Sequence, residues 1–166
     1  MSLQPLLEAP LAIQVHAFAA IAAALLGAAV LFRRKGTPLH KLMGRIWAAL
    51  MLVVATSAIF ISEIRLVGPF SPIHLLIPVV YGSPALAIWH IRRGNVAAHR
   101  ATMLSLYFGS LGLAGAFTLL PGRRMHDVLF GTAANWTPSL IALGFVLAAT
   151  VYFWWRLMPK RRSRAA

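Results

Sequence analysis

The chain has 166 residues, 60% hydrophobic and only 11% charged, with a formal net charge of +13 and no cysteine. That balance excludes a soluble globular domain and reads as an integral membrane protein, while the missing thiols exclude disulfides, thiolate metal sites, iron–sulfur clusters and haem attached through Cys. The cations fall in clusters beside long uncharged runs, the pattern of membrane-flanking loops, so no nucleic-acid partner is expected.

A spanning helix needs about twenty predominantly apolar residues, and five stretches qualify. Met1 to Pro10 carries one charge, Glu8, and lacks the basic region of a cleavable signal, so the first apolar segment is expected to stay in the protein. That segment runs from Leu11 to Phe32, and the basic loop Arg33-Arg34-Lys35 with Gly36 and Pro38 ends it. The second span covers roughly His40 to Ile61, before Gly68, Pro69 and Pro72. The third covers Pro72 to Ile91 and stops before Gly94; the fourth covers Ala97 to Leu120 and stops at Pro121 and Gly122. The fifth covers Pro138 to Met158, followed by a basic tail over 159–166. Trp136 at its start and Tyr152, Trp154 and Trp155 near its end suit aromatic belts at two interfaces.

Charge orients these spans. Arg33, Arg34, Lys35, Lys41, Arg45, Arg92, Arg93, Arg100, Arg156 and the basic tail fall on one side; Arg65, Arg123 and Arg124 fall on the other, with all three acids, Glu8, Glu63 and Asp127. The positive-inside rule then predicts a bacterial inner-membrane protein with its N-terminus outside and its C-terminus in the cytoplasm.

The strongest internal signal is a duplication. Arg33-Arg34 is followed seven positions later by His40-Lys41, and Arg92-Arg93 by His99-Arg100. His16 precedes the first motif and His74 the second by nearly the same interval; Met43 answers Met103, and Trp47 answers Tyr107. We read a duplicated two-helix hairpin, with repeat 1 over about 11–67 and repeat 2 over about 72–121. The expected fold is an all-α membrane protein of five transmembrane helices: a four-helix bundle of two tandem hairpins, with a fifth helix over about 138–158 outside the repeat.

This topology stacks the histidines in two levels, His16 with His74 in the outer half and His40 with His99 at the cytoplasmic end, separated by roughly 20–25 Å at 1.5 Å per residue. Two opposed pairs suit bis-imidazole ligation of two haem b groups. Ala20, Ala23 and Gly27 on the His16 face and Gly44 on the His40 face would make room for a flat macrocycle, although such residues also serve plain helix packing. Arg45, Arg100 and Arg65 would pair with haem propionates or with lipid phosphate. A membrane His has ordinary uses too, as an interfacial anchor or as a hydrogen-bonding partner for a neighbouring helix. His90 beside Trp89 reads as interfacial, and His126 beside Asp127 as solvated. No nucleophilic triad, carboxylate pair or phosphate-cradling Gly loop stands at membrane depth.

An early His in the first span, His-Lys opening the second, Ser71-Pro72-Ile73-His74 opening the third, and His99-Arg100 followed by Met103 opening the fourth resemble a bacterial family of predicted membrane proteins, domain-of-unknown-function family 2306. The resemblance covers roughly Val15 to Leu120. It implies a polytopic inner-membrane protein of unassigned activity, with the fifth helix an extension of the family core.

Three functional readings stand side by side. The first is a b-type di-haem redox protein, with His16, His74, His40 and His99 as axial ligands and a quinol or membrane redox partner at one face. The second is a non-enzymatic subunit or assembly factor of a larger membrane complex, with the histidines joining helices and the basic face meeting partners or anionic lipid. The third is a small carrier or metal-handling protein working as a homodimer; Thr56, Ser57, Ser105 and Ser110 are the polar side chains in the middle of its second and fourth spans.

Overall fold

Pro10 and Pro38, each free of a main-chain donor, stand where two long helices begin, as expected at a position whose amide would be orphaned anyway. The computed structural model describes residues 2–61, 72–131 and 136–157, and among them there is no strand. The helices are α1 (Gln4–Leu7), α2 (Leu11–Phe32), α3 (Pro38–Ile59), α4 (Leu76–Arg92), α5 (Val96–Leu104), α6 (Leu113–Phe117), α7 (Arg124–Phe130) and α8 (Trp136–Leu157). A 3₁₀ turn, Pro72–Leu75, leads into α4, and a π-helical segment, Ser105–Gly112, joins α5 to α6.

Among the described residues, three helices are long and apolar enough to cross a bilayer: Leu11–Phe32, Pro38–Ile59 and, within α8, Ser139–Arg156, with mean hydropathies of 2.3, 1.8 and 1.4. The third and fourth expected spans are helical but segmented. α4 has 17 residues and holds Pro84 in its interior, which removes the amide that would bond the Val80 carbonyl. In the fourth, Gly109 and Gly112 carry no side chain to lock α-helical packing, and the helix widens there to the π form. The outer connection that includes Gly68 and Pro69 lies outside the described residues.

The two hairpin turns are built alike. Gly36 at φ 79° and Gly94 at φ 72° adopt the left-handed conformation that costs glycine nothing, and each is followed by a helix cap. The Thr37 hydroxyl accepts from the His40 amide at 3.1 Å, and the Asn95 carboxamide oxygen from the Ala98 amide at 3.0 Å. Capping register therefore matches His40 with Ala98, which sets His99 one residue further round its helix than the sequence motif suggests.

Packing follows from a stripe of small residues opposite a stripe of large ones. α2 buries Ala19, Ala23 and Gly27 at a spacing of four; α3 buries Trp47, Met51 and Ala55 at the same spacing. α3 also packs on α4, α4 on α5 and the π segment, and the π segment on α2, so the contacts form a ring; α8 lies outside it against the π segment and α6. Within the ring, Ala23, Trp47, Met51, Ala55, Val80 and Leu106 form the buried core.

The periphery is apolar. Leu25 is 70% exposed, Phe145 75% and Trp155 68%, a surface that water would not tolerate and lipid would. Charge is segregated by end. Lys35, His40, His99 and Arg100 gather at one end, where Phe32 of α2 also meets Phe153 of α8. Asp127 stands at the other, where α7 packs on α1; there the Ser2 amide bonds the Val128 carbonyl.

Candidate functional site

His16 lies in the second turn of α2, beside α3. Its Nδ1 is 3.0 Å from the Val54 carbonyl and 3.1 Å from the Ser57 hydroxyl. A carbonyl only accepts, so Nδ1–H donates to it and the ring's other nitrogen, Nε2, keeps the lone pair. Ser57 spends its own proton on the Val53 carbonyl at 2.7 Å, which leaves its oxygen free to accept from His16. His74 lies in the 3₁₀ turn rather than inside a long helix, and its Nε2–H donates to the Ile61 carbonyl at 3.2 Å. Both imidazoles thus bind main chain at the far end of α3.

Between the two histidine levels the space is filled. Trp47 Nε1–H donates to the Ala23 carbonyl at 2.9 Å, and the Tyr107 hydroxyl to the Ala24 carbonyl at 2.9 Å. The two rings, which answer one another in the sequence repeat, come to 6.3 Å between centroids over Gly27. A Cβ on Gly27 would stand 2.5 Å from the Tyr107 ring and 2.6 Å from Trp47 Nε1. The small residues Ala23 and Gly27 therefore admit two aromatic rings. Gly44, read from sequence as a second source of room, has nothing within 4 Å of its Cβ position and marks no close approach.

At the basic end His99 Nδ1–H donates to the Ala87 carbonyl of α4 at 2.9 Å, tying the second hairpin together. The His40 ring lies within electrostatic reach of Lys35 and His99, and its Nδ1 is buried without a hydrogen-bond partner. Lys35 Nζ–H donates to the Val30 carbonyl at 2.8 Å and to that of Leu31, closing the C-terminus of α2. Partial burial first, and the Arg100 charge second, hold its pKa below the ordinary lysine value. Arg45 and Arg100 are exposed, and Arg65 lies outside the described residues.

The polar side chains of the second span are tie points as well. Thr56 donates to the Leu52 carbonyl at 2.7 Å, so the Tyr81 hydroxyl, also 2.7 Å away, donates to Thr56 and joins α4 to α3. His126, read from sequence as solvated, is 1% exposed. Its Nδ1–H faces Asp127 at 3.2 Å and its ring lies against Phe130, beneath the contact of α1 with α7. In the sequence, Met125 and the apolar run Val128-Leu129-Phe130 flank His126-Asp127, and that is the signal that this segment turns inward. Among the described residues no group of three or more His, Asp or Glu side chains could hold a metal ion.

A family model described as predicted membrane protein (DUF2306) matches residues 13–155. The chain belongs to that family. The match runs from α2 almost to the end of α8, so in this DUF2306 member the fifth helix is part of the family core and not an extension of it. No curated protein and no solved structure matches the chain.

Chemically, three of the four histidines in this DUF2306 member donate a ring N–H to main chain: His16 and His99 through Nδ1, His74 through Nε2. In the first two a neutral ring leaves Nε2 unprotonated. Such rings can fasten helices, and a donor bond of this kind also orients a metal-binding imidazole.

Proposed function

We propose that the protein is a non-enzymatic subunit or assembly factor of a larger complex in the bacterial inner membrane. In this reading the chain crosses five times, as two tandem hairpins and a fifth helix, with its N-terminus outside and its basic end in the cytoplasm. The observation that carries it is the engagement of His16, His74 and His99 with main-chain carbonyls, while Trp47 and Tyr107 plug the space between the two levels. Polar side chains that would mark a substrate route, Thr56 and Ser57, are likewise spent on helix contacts. What remains outward is an apolar belt and a cationic end, the equipment of a protein that acts by docking.

Blue-native electrophoresis of membranes solubilised in mild detergent tests this. The chain should migrate in one discrete assembly, with a partner that crosslinks to α8 or to the basic end in stoichiometric amount; migration as a lone chain or homodimer contradicts it. The absence of native cysteine makes the orientation separately testable. A Ser2→Cys chain should react with an impermeant maleimide in intact spheroplasts, and a Ser163→Cys chain only after lysis.

Haem ligation by the same histidines is the second reading. One observation favours it: His16 and His99 donate through Nδ1 and so leave Nε2 available. It requires Trp47 and Tyr107 to leave the face of α2 that they cover.

A further inference from the structure

Basic side chains are held together at this end, and among the described residues no carboxylate stands beside them. Lys35 is anchored over the last turn of α2 by its bonds to the Val30 and Leu31 carbonyls, so it cannot swing away from its neighbours without uncapping the helix. Arg100 belongs to the second hairpin and His40 to the first, and both lie in the field of Lys35; His99 lies in the field of His40. The chain has only three carboxylates. Glu8 and Asp127 stand at the opposite end, and Glu63 follows the far end of α3 in the chain.

Two further features belong to the same end. His40 Nδ1 is buried and unpartnered, which costs free energy unless something bonds it. His99 is fixed by its Nδ1–H bond to Ala87, and in the imidazolium form its Nε2–H is a second donor, the form that an adjoining phosphate favours. The N-termini of α3 and α5 open at this end too, so their first-turn amides add positive potential to the side chains. The helix ends that carry the cluster also carry exposed apolar residues: Phe32 is 72% exposed and Val96 61%, and Leu39 and Leu42 of α3 are exposed as well. A ligand that fits both halves carries an anionic phosphate on apolar chains.

We propose that the basic end holds a lipid-phosphate site between the two hairpin turns, in which Lys35, His40, His99 and Arg100 bind the headgroup phosphate of an anionic phospholipid while its acyl chains lie along Phe32 and Val96. A phosphate spanning the turns would neutralise the cluster, satisfy His40 and pin the first hairpin to the second. The site stands whether or not the protein is part of a larger complex, because every residue in it comes from this one chain.

Native mass spectrometry of the detergent-purified full chain tests it, with phosphatidic acid and phosphatidylcholine of identical acyl chains as probes. Phosphatidic acid should be retained in preference to phosphatidylcholine. Lys35→Gln with Arg100→Gln should lower that retention about tenfold or more, as loss of two charge-assisted contacts implies. Lys35→Arg with Arg100→Lys keeps the charges and should restore most of it, which separates lost binding from lost folding. Arg93→Gln serves as a control, since its guanidinium stacks on Trp89 at 4.3 Å and belongs to a different contact. Equal retention of the two lipids, or retention indifferent to the double Gln variant, overturns the proposal. Displacement of phosphatidic acid by an equal concentration of inorganic phosphate overturns the lipid assignment, and makes the site one for a soluble phosphate.

Discussion

His16→Ala removes the donor that the Val54 carbonyl and the Ser57 hydroxyl share, and nothing else on α2 reaches across to replace it. Hydrogen bonds between membrane helices are worth about 1 kcal/mol, so the expected loss of stability is of that order, read by unfolding in mixed micelles of increasing SDS. His16→Gln, which keeps a donor, should recover part of it; a variant as stable as the parent would show that the bond carries no weight. Lys35 responds to pH with a definite sign. Its folded pKa lies below the unfolded value, so between the two the unfolded chain binds the proton and the folded chain does not, and stability rises with pH across that window. Because the Arg100 charge is the second cause after burial, Arg100→Gln should move the Lys35 pKa part of the way back up. The ¹⁵N shift of the Lys35 ammonium in micelles reports this, and an unchanged titration would contradict the proximity of the two cations. Sequence alone singled out the histidines because an ionisable ring in an apolar run is unusual. Their partners were illegible, since a main-chain carbonyl is offered by every residue and carries no letter of its own.

At the scale of helices, α2 and α3 meet through small residues against large ones, and Gly27 is where the fit is tightest. Gly27→Ala would drive a methyl group to within 2.5 Å of the Tyr107 ring, and neither ring moves without giving up its bond to Ala23 or Ala24. Overpacking of this kind typically costs about 1–3 kcal/mol. Gly44→Ala meets open space and should be neutral or stabilising by up to about 1 kcal/mol through backbone entropy and helix propensity. The same SDS titration applied to both compares them directly; equal effects would mean that the α2–α3 contact is looser than described. Hydropathy made the long helices α2, α3 and α8 legible, because runs of apolar residues translate directly into length. It missed the breaks at Pro72–Leu75 and Ser105–Gly112, where a proline or a cluster of glycines changes the helix type without changing its polarity. The repeat was legible as matched letters, and two of the residues it matched, Trp47 and Tyr107, lie ring to ring. The one-residue slip that separates His99 from His40 shows only in the capping bonds, because the Arg-to-His spacing is the same in both copies while the position of the turn glycine is not.

At the scale of the whole molecule, an apolar flank, a cationic end and an end carrying Glu8 and Asp127 are set by composition and order of charge alone, which is why membrane character was evident before any packing was known. Family membership extends this architecture through α8. What could not be read from letters is whether the centre of the ring of helices is a cofactor slot or a packed core, since Ala and Gly at helical spacing serve both. The central claim is that it is a packed core with the histidines as fasteners, and an optical spectrum of the protein purified from haem-replete cells, oxidised and dithionite-reduced, with a pyridine haemochromogen assay, tests it most directly. A folded, colourless chain with no Soret band is the expected result. A Soret band with sharp reduced α and β bands at near-stoichiometric haem, lost when His16 or His99 is changed to Ala, would contradict it.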